Sequence, residues 1–304
     1  MSERPTLLYL LAPSYSGSTL LTYLLSQHDR IATIGELKAT RMGDVDRYDC
    51  SCGTRIRECA FWQELARRAA DRDVEFSVDD FGTVFGSSNA LLDKVMRATV
   101  RGPWFERLRS ALLALAPGAA ARLRAIARRN FVLGQVVCEM QDGDIFLDGS
   151  KDAVRLRHFI DAGLWDIRVI YLQRDGRGVT NSYRKHDDMS RDRAIDYWLA
   201  NVRELERMRA RLPGESVFDL RYEDLCREPA RTMSELWRWL GIAERPLEAL
   251  AETADKSHIL GNRMRLTNVA EIRYDESWRR ISSADDLERF AERAGHVNRQ
   301  LGYA

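Results

Sequence analysis

Residues Leu7–Gln27 read LLYLLAPSYSGSTLLTYLLSQ, and this stretch sets the fold class. The apolar run Leu7–Ala12 stops at Pro13. A loop of small polar residues follows, Ser14-Tyr15-Ser16-Gly17-Ser18-Thr19. Leu20, Leu21, Leu24 and Leu25 then recur at helical spacing. A strand, a tight loop and a helix form the geometry that holds a phosphate. Backbone N–H groups converge at the helix start, the helix dipole favours an anion there, and hydroxyls add donors. A nucleotide triphosphatase loop would carry lysine before its final Ser/Thr, to grip the β- and γ-phosphates. Ser18 stands at that place, so this loop suits a phosphate monoester better than a triphosphate.

Composition sets the outer limits. A chain of 304 residues with 45% apolar residues and seven tryptophans can bury a substantial core. Its formal net charge of +1 gives no global reason to expect nucleic-acid binding. No stretch approaches the length of a membrane span, and the polar opening MSERPT does not resemble a signal peptide. Five scattered cysteines argue against a disulfide framework and fit a reducing cytoplasm.

Further along, strands alternate with helices, which implies a parallel sheet. The pattern predicts strands at Thr6–Leu11, Ile31–Ile34, Val136–Glu139, Ile145–Asp148, Ile167–Leu172 and Ser216–Leu220. It predicts helices at Ser18–Gln27, Ala153–Ala162, Gly176–His186, Arg191–Arg211 and Ala230–Leu240. From Phe61 to about Asn130 the pattern is helical, with breaks at Gly86, Gly102-Pro103 and Pro117-Gly118. The expected architecture is an α/β three-layer, P-loop-like fold over residues 1–304, with a mostly helical insertion at about 61–130. Ligands in such sheets gather at the carboxyl ends of the strands.

Three further motifs fall at those ends. Arg174 follows the strand Ile167–Leu172, and Ser182 lies eight residues later in the next helix. A guanidinium at a strand end makes a bidentate clamp for a second phosphate. Leu220-Arg221-Tyr222-Glu223-Asp224-Leu225 is the third motif, and Ser257–Arg265 (SHILGNRMR) the fourth.

With these four in order, the chain resembles the sulfotransferases that use 3′-phosphoadenosine-5′-phosphosulfate (PAPS). The likeness is to bacterial members and to carbohydrate and tyrosylprotein sulfotransferases. It runs from residue 7 to about 280 and is strongest at 13–36, 148–185 and 217–280. It implies that Ser14, Tyr15, Ser16, Gly17, Ser18 and Thr19 hold the 5′-phosphosulfate, that Arg174 and Ser182 hold the 3′-phosphate, and that Tyr222 lies near the adenine. Gly261, Asn262, Arg263 and Arg265 would close over the nucleotide. PAPS would be the co-substrate, the bisphosphate PAP its product, and no metal would be required. The acceptor would offer a hydroxyl or an amine on a small molecule, carbohydrate or lipid. Two separated anion sites on different strands fit such a nucleotide, whereas a triphosphate wants one site with a lysine and a magnesium ligand.

Two residues emerge as catalytic. Glu36 follows the second strand at a Gly-Glu step, 17 residues after Thr19, an offset found in the tyrosylprotein and some carbohydrate sulfotransferases. It is the expected base; the plain alternative is a carboxylate bridged to Lys38. Lys151, in Asp148-Gly149-Ser150-Lys151-Asp152, is expected to stabilise charge on the transferring group, or else to pair with Asp148 or Asp152. Many relatives carry Lys or Arg immediately before the Ser-Gly of the loop, where this chain has Tyr15. Lys151 or Lys38 then supplies the charge, or the tyrosine hydroxyl takes a weaker part. Asp275, Trp278 and Arg279 resemble a family D-x-x-W segment, with Trp278 read as packing.

Cys50-Ser51-Cys52-Gly53 with Cys59 offers three thiols, but C-x-C is not the usual zinc knuckle and no fourth ligand is near. The reading favours reduced structural cysteines; His258 reads equally as a loop-stabilising residue or a ligand contact. From Lys94 to Arg129 there are nine Lys/Arg against one acid, Glu106. That segment is a solvated face, a lid whose arginines meet an anionic acceptor, or a membrane-surface helix through Leu112, Leu113, Leu115 and Ile126. Two rival functions stay open: a kinase on a P-loop-like fold, and a relative that binds nucleotide without catalysis.

Overall fold

β1 (Thr6–Leu11) lies at the centre of a parallel sheet because both its faces are apolar. The computed structural model describes residues 4–39, 42–247, 258–260 and 272–304. Leu7, Tyr9 and Leu11 face one helical layer, and Leu8 and Leu10 face the other. An unbroken apolar run is what a strand covered on both sides requires. β3 (Ile145–Asp148) pairs in parallel on one side of β1, with β2 (Ile31–Thr33) beyond it. β4 (Asp166–Gln173) pairs on the other side, with β5 (Val217–Arg221) outside it. The order is β2-β3-β1-β4-β5. The chain leaves β1 toward β2 and later crosses to β4, so the crevice between the ends of β1 and β4 is the switch point where such sheets bind ligands.

One layer holds α1 (Ser18–Ser26), α9 (Tyr222–Arg227) and α10 (Pro229–Leu240), which bury Leu21, Leu25, Leu225 and Trp237. The opposite layer holds α2 (Ala60–Ala70), α5 (Ala119–Met140) and α6 (Ala153–Ala162), which bury Trp62, Leu133 and Leu156. α7 (Gly176–His186), α8 (Arg191–Arg209) and α11 (Ala284–Gln300) form a third cluster around Trp198 and Phe290. The expected three-layer architecture with a parallel sheet is the one observed.

Residues 61–130 are helical in part, less continuously than their pattern suggests. Helix runs through α2, then resumes at α3 (Ala90–Met96), α4 (Pro103–Leu115) and α5. Between α2 and α3 the chain takes left-handed turns at Asp73 (φ 58°) and Gly82 (φ 62°). The strand expected at Val136–Glu139 does not form; those residues are the last turns of α5. Leu133, Val136 and Val137 are buried at i, i+3 and i+4, and a short apolar run cannot separate that pattern from a strand. Among the described residues no single helix is long and apolar enough to cross a membrane.

Candidate active site

Gly17 makes the loop after β1 possible. It caps α1 at φ 85°, and a Cβ there would lie 2.3 Å from the Tyr222 ring, so the left-handed turn and the close approach both demand glycine. α1 begins with no side-chain cap bond and no acidic residue in its first turn. Its dipole and first amides therefore stay available to an anion. Ser16 Oγ is buried and has no hydrogen-bond partner among the described residues. A buried hydroxyl without a partner is costly unless a ligand completes it. The loop thus fits a bound phosphate group.

Tyr15 does not aim into this loop. Its backbone is left-handed (φ 64°), and its hydroxyl donates to Asp187 Oδ1 at 2.9 Å. Its ring packs edge-on against Tyr183 and stacks with His186. Of the options left open for the missing basic residue, this geometry favours a lysine over the tyrosine hydroxyl.

Arg174 stands at the end of β4, 7% exposed. Its Nη1 donates to the Tyr15 carbonyl at 2.8 Å, and its Nη2 to the Asp275 carbonyl at 2.9 Å and carboxylate at 3.1 Å. Its guanidinium lies 4.5 Å over the Tyr222 ring. Asp175, the partner a plain strand-end ion pair would use, instead caps α7 and pairs with Arg177. Burial pushes the Asp275 carboxyl up, but hydrogen bonds from Ser277 and Arg174 outweigh it and hold the group below the usual range. Gly178 lies against Arg174, and Ser182 Oγ donates to the Gly178 carbonyl at 3.0 Å, so Ser182 and Arg174 flank one turn of α7.

Tyr222 joins the parts. Its ring lies under Gly17 and Arg174, and its hydroxyl donates to the Arg273 carbonyl and accepts from Asp275 N. Its neighbour Glu223 is buried and accepts from Asp175 N (3.2 Å) and the Tyr303 hydroxyl (2.8 Å), fixing the end of β4. Trp278 is buried between Arg177 and Arg279, in the packing role expected of it. Gly261, Asn262, Arg263 and Arg265 lie outside the described residues.

The ends of β2 and β3 carry the catalytic candidates. Lys151 Nζ donates to Glu36 Oε1 and, at 3.2 Å, to the Gly149 carbonyl. Lys38 pairs with Asp152 rather than with Glu36. Asp148 builds this arrangement. It is fully buried, and it accepts from Arg155 Nε at 2.9 Å, Ser150 N at 3.0 Å and Leu37 N at 3.3 Å. Gly149 N donates to the Gly35 carbonyl at 2.7 Å, and Lys38 N to Ser150 Oγ at 3.0 Å. Lys151 itself sits at φ 63°, a strained backbone for a lysine that aims its side chain at Glu36.

Beside the pair opens a cavity of about 350 Å³. Ser14 of the loop after β1 borders it, with Glu36, Lys38 and Lys151. Arg97, Asn201 and Glu204 add polar groups, and Phe85 an aromatic wall. Burial pushes the Glu204 carboxyl up, against a hydrogen bond from Val100 N. The sequence reading missed Asn201 and Glu204, and had Arg97 only as one of the basic residues of 94–129. Helical periodicity places Asn201 and Glu204 on one side of α8 but cannot say that this side faces β2 and β3.

The basic segment 94–129 divides. Arg109 is buried and pairs within α4 with Glu106, which links α4 to Arg157 of α6, and Arg109 does not line the cavity. Arg97 does face the cavity. Leu113 is buried against Met96 and Ala119, so it is not part of an outward apolar face. The cysteine cluster also differs from expectation. The fold brings His258 to Cys50, Cys52 and Cys59, supplying the fourth donor that no nearby residue offered.

No curated protein matches the chain. Its shape is similar to the sulfotransferase domain from the curacin biosynthetic pathway, at 17% identity and TM-score 0.52, covering 100% of this chain and 99% of that one. At that identity the likeness shows a shared fold. The sulfotransferase domain of the Synechococcus PCC 7002 olefin synthase aligns at 18% identity and TM-score 0.48, over 95% of this chain and 94% of that one. A sulfotransferase from Mycobacterium tuberculosis H37Rv aligns at 15% and 0.46, over 95% and 77%. A family model described as the sulfotransferase family matches residues 11–246, which hold the loop Ser14–Thr19, Glu36, Lys151, Arg174, Ser182 and Tyr222. The chain belongs to the sulfotransferase family.

Proposed function

We propose that this protein binds PAPS and moves its sulfuryl group to a hydroxyl or amine of a small polar acceptor held in the cavity beside Glu36. The observation that carries this reading is the position of the Glu36–Lys151 pair, on a cavity that also touches Ser14 of the anion loop. The loop Ser14–Thr19 would hold the 5′-phosphosulfate, and Arg174 with Ser182 the 3′-phosphate. When bound, that molecule supplies an activated sulfuryl group and a phosphate leaving group. Glu36 takes the proton of the acceptor, which makes its oxygen or nitrogen the attacking atom. Lys151 orients Glu36 through their direct contact and brings positive charge to the side where the leaving group gains negative charge. The strand-end loops fix both groups before the acceptor arrives. Cavity walls drawn from Ala12 to Leu205 support one working domain.

The cavity lining favours a polar acceptor over a greasy one. Glu36, Lys38, Arg97, Lys151, Asn201 and Glu204 give it charges of both signs, and about 350 Å³ suits a sugar-sized molecule. The free thiols suit a reducing compartment such as the cytoplasm.

Thermal shift without magnesium tests the nucleotide reading. Adenosine 3′,5′-bisphosphate should raise the melting temperature and ATP should not; stabilisation by magnesium-ATP alone would favour the kinase. Transfer of radiolabelled sulfate from PAPS to a panel of small polar hydroxyl compounds then tests catalysis. Binding without transfer to any of them would favour the inactive relative.

A contact with anionic membrane surfaces also belongs to this proposal. α4 exposes Trp104, Leu108, Leu112 and Leu115 along one face, and the exposed Arg107, Arg122 and Arg124 lie on α4 and α5. Apolar side chains among arginines suit an anionic headgroup layer. Flotation with vesicles containing phosphatidylserine should carry the protein upward, and Leu108→Ser with Leu115→Ser should stop it. Equal flotation of both would end this part.

A further inference from the structure

We propose that Cys50, Cys52, Cys59 and His258 form a structural zinc site that clamps residues 258–260 against the end of β2. The four donor atoms lie within 4.8 Å of one another. His258 Nδ1 is 3.3 Å from Cys50 Sγ and 3.4 Å from Cys59 Sγ, and the sulfurs of Cys52 and Cys59 are 3.6 Å apart. Tetrahedral zinc, with Zn–S of about 2.3 Å and Zn–N of about 2.0–2.1 Å, needs donor separations of about 3.8 Å (S···S) and about 3.6 Å (S···N). These side chains already stand near the corners of that tetrahedron. Three thiols and one imidazole are also the donor set of a closed structural site, with no position left for water.

The surroundings fix the donors. Cys50 N donates to the Thr54 carbonyl at 2.8 Å, and Gly53 N to the Cys50 carbonyl at 2.9 Å, closing a tight turn with Gly53 at φ 86°. This turn lets a C-x-C pair present both sulfurs to one point. Trp62 Nε1 donates to Cys50 Sγ at 3.4 Å, as an outer partner that supports a thiolate. Phe61 stacks on the His258 ring at 4.2 Å and an interplanar angle of 8°, which sets the ring's orientation.

The site has a mechanical consequence. His258 is 199 residues from Cys59 in the chain. Ile259 N donates to Ser51 Oγ at 2.8 Å, and Leu260 N to the Ile34 carbonyl at 2.7 Å. The Leu260 carbonyl also packs against Gly35, beside Glu36. Bound zinc would hold this contact in register. Each thiol gives up its proton on binding, so affinity falls in acid. The inference does not depend on the sulfuryl-transfer reading.

The test is metal analysis of the full chain, expressed with zinc and purified under reducing conditions without chelator. About one zinc per chain should copurify. Cobalt exchanged into the protein should give thiolate-to-cobalt charge-transfer absorption and the visible bands of a tetrahedral ion. Cys52→Ser, at an exposed position, and His258→Ala should lose both signals, whereas His258→Cys should keep zinc as a four-thiolate site. Removing zinc should lower the melting temperature, and adding it back should restore it. Absence of zinc, with no cobalt spectrum after reconstitution of the reduced protein, would overturn the proposal. So would a Cys52–Cys59 disulfide in the reduced preparation, or full zinc retention in both loss variants.

Discussion

Lys151, after β3, donates to the carboxylate of Glu36, after β2, and the two side chains meet at the mouth of one cavity. Neither is far exposed, at 15% and 21%. If Glu36 is the base, Glu36→Gln should lower kcat by about 10²–10⁴-fold and leave affinity for adenosine 3′,5′-bisphosphate within a few fold. Lys151→Ala should cost about 10²–10³-fold. Because each group orients the other, the double variant should lose less than the product of the single losses. Additive losses would mean that the pair does not act as a unit, and full activity in Glu36→Gln would remove it as base.

Arg174 offers a test of where the second anion sits. Its guanidinium is held by the Tyr15 carbonyl, by Asp275 and by the Tyr222 ring. Arg174→Lys keeps the charge but loses the planar fork. It should weaken binding of adenosine 3′,5′-bisphosphate by about 10–100-fold, the size of a lost charged hydrogen bond. Binding of adenosine 5′-phosphate, which lacks the 3′ group, should change little. Calorimetric titration of both ligands checks this; equal weakening of both would move the 3′-phosphate elsewhere.

Local residue types carried much of this architecture into view. The unbroken run Leu7–Leu11 marked a strand covered on both faces, and Gly17 with Ser16 and Ser18 marked the tight turn that follows it. Glu36, Lys151 and Arg174 were legible as candidates because they follow predicted strands, whose ends converge in a parallel sheet, and because the family resemblance singled them out. The remainder depended on pairings that no local pattern encodes. Nearness in sequence offered Lys38 as the ion-pair partner of Glu36 and Asp148 or Asp152 as those of Lys151, whereas the crossing of two loops at Asp148 exchanges them: Lys151 meets Glu36 and Lys38 meets Asp152. His258 lay about 200 residues from the thiols it joins. Val136–Glu139 looked like a strand because its short apolar run hides the period of α5.

Asp148 makes its own prediction. It is a buried carboxylate paired with the buried Arg155, whose other nitrogens reach the Thr83 carbonyl (2.7 Å) and Asn130 Oδ1 (2.5 Å). Asp148→Asn leaves Arg155 without its counter-charge and should cost about 3–5 kcal/mol of stability. The same change loosens the loops that carry Glu36 and Lys151. Activity measured well below the variant's melting temperature should therefore fall as well, although Asp148 is buried away from the cavity. A variant with native melting temperature and native kcat would show that the stitching is not needed.

His158 sets a pH limit on stability. It lies in α6, stacked on Phe85, with Nε2 bonded to the Met96 carbonyl at 2.9 Å. Burial pulls its pKa down to about 4 from an ordinary 6.5, and the bond to Met96 recovers only part of the shift. The folded protein therefore keeps this ring neutral at a pH where the unfolded chain already protonates it. Above about pH 6.5 both states hold the ring neutral and no penalty exists. As pH falls below 6.5 the unfolded state gains the proton first, and stability drops until the folded pKa is reached near 4. By pH 5 the loss should be about 2 kcal/mol from this group alone. Urea unfolding at pH 7 and pH 5 measures it. His158→Gln should be less stable than the natural chain at pH 7, yet lose about 2 kcal/mol less between the two pH values. An equal pH dependence in both proteins would show that this ring is not what acid attacks.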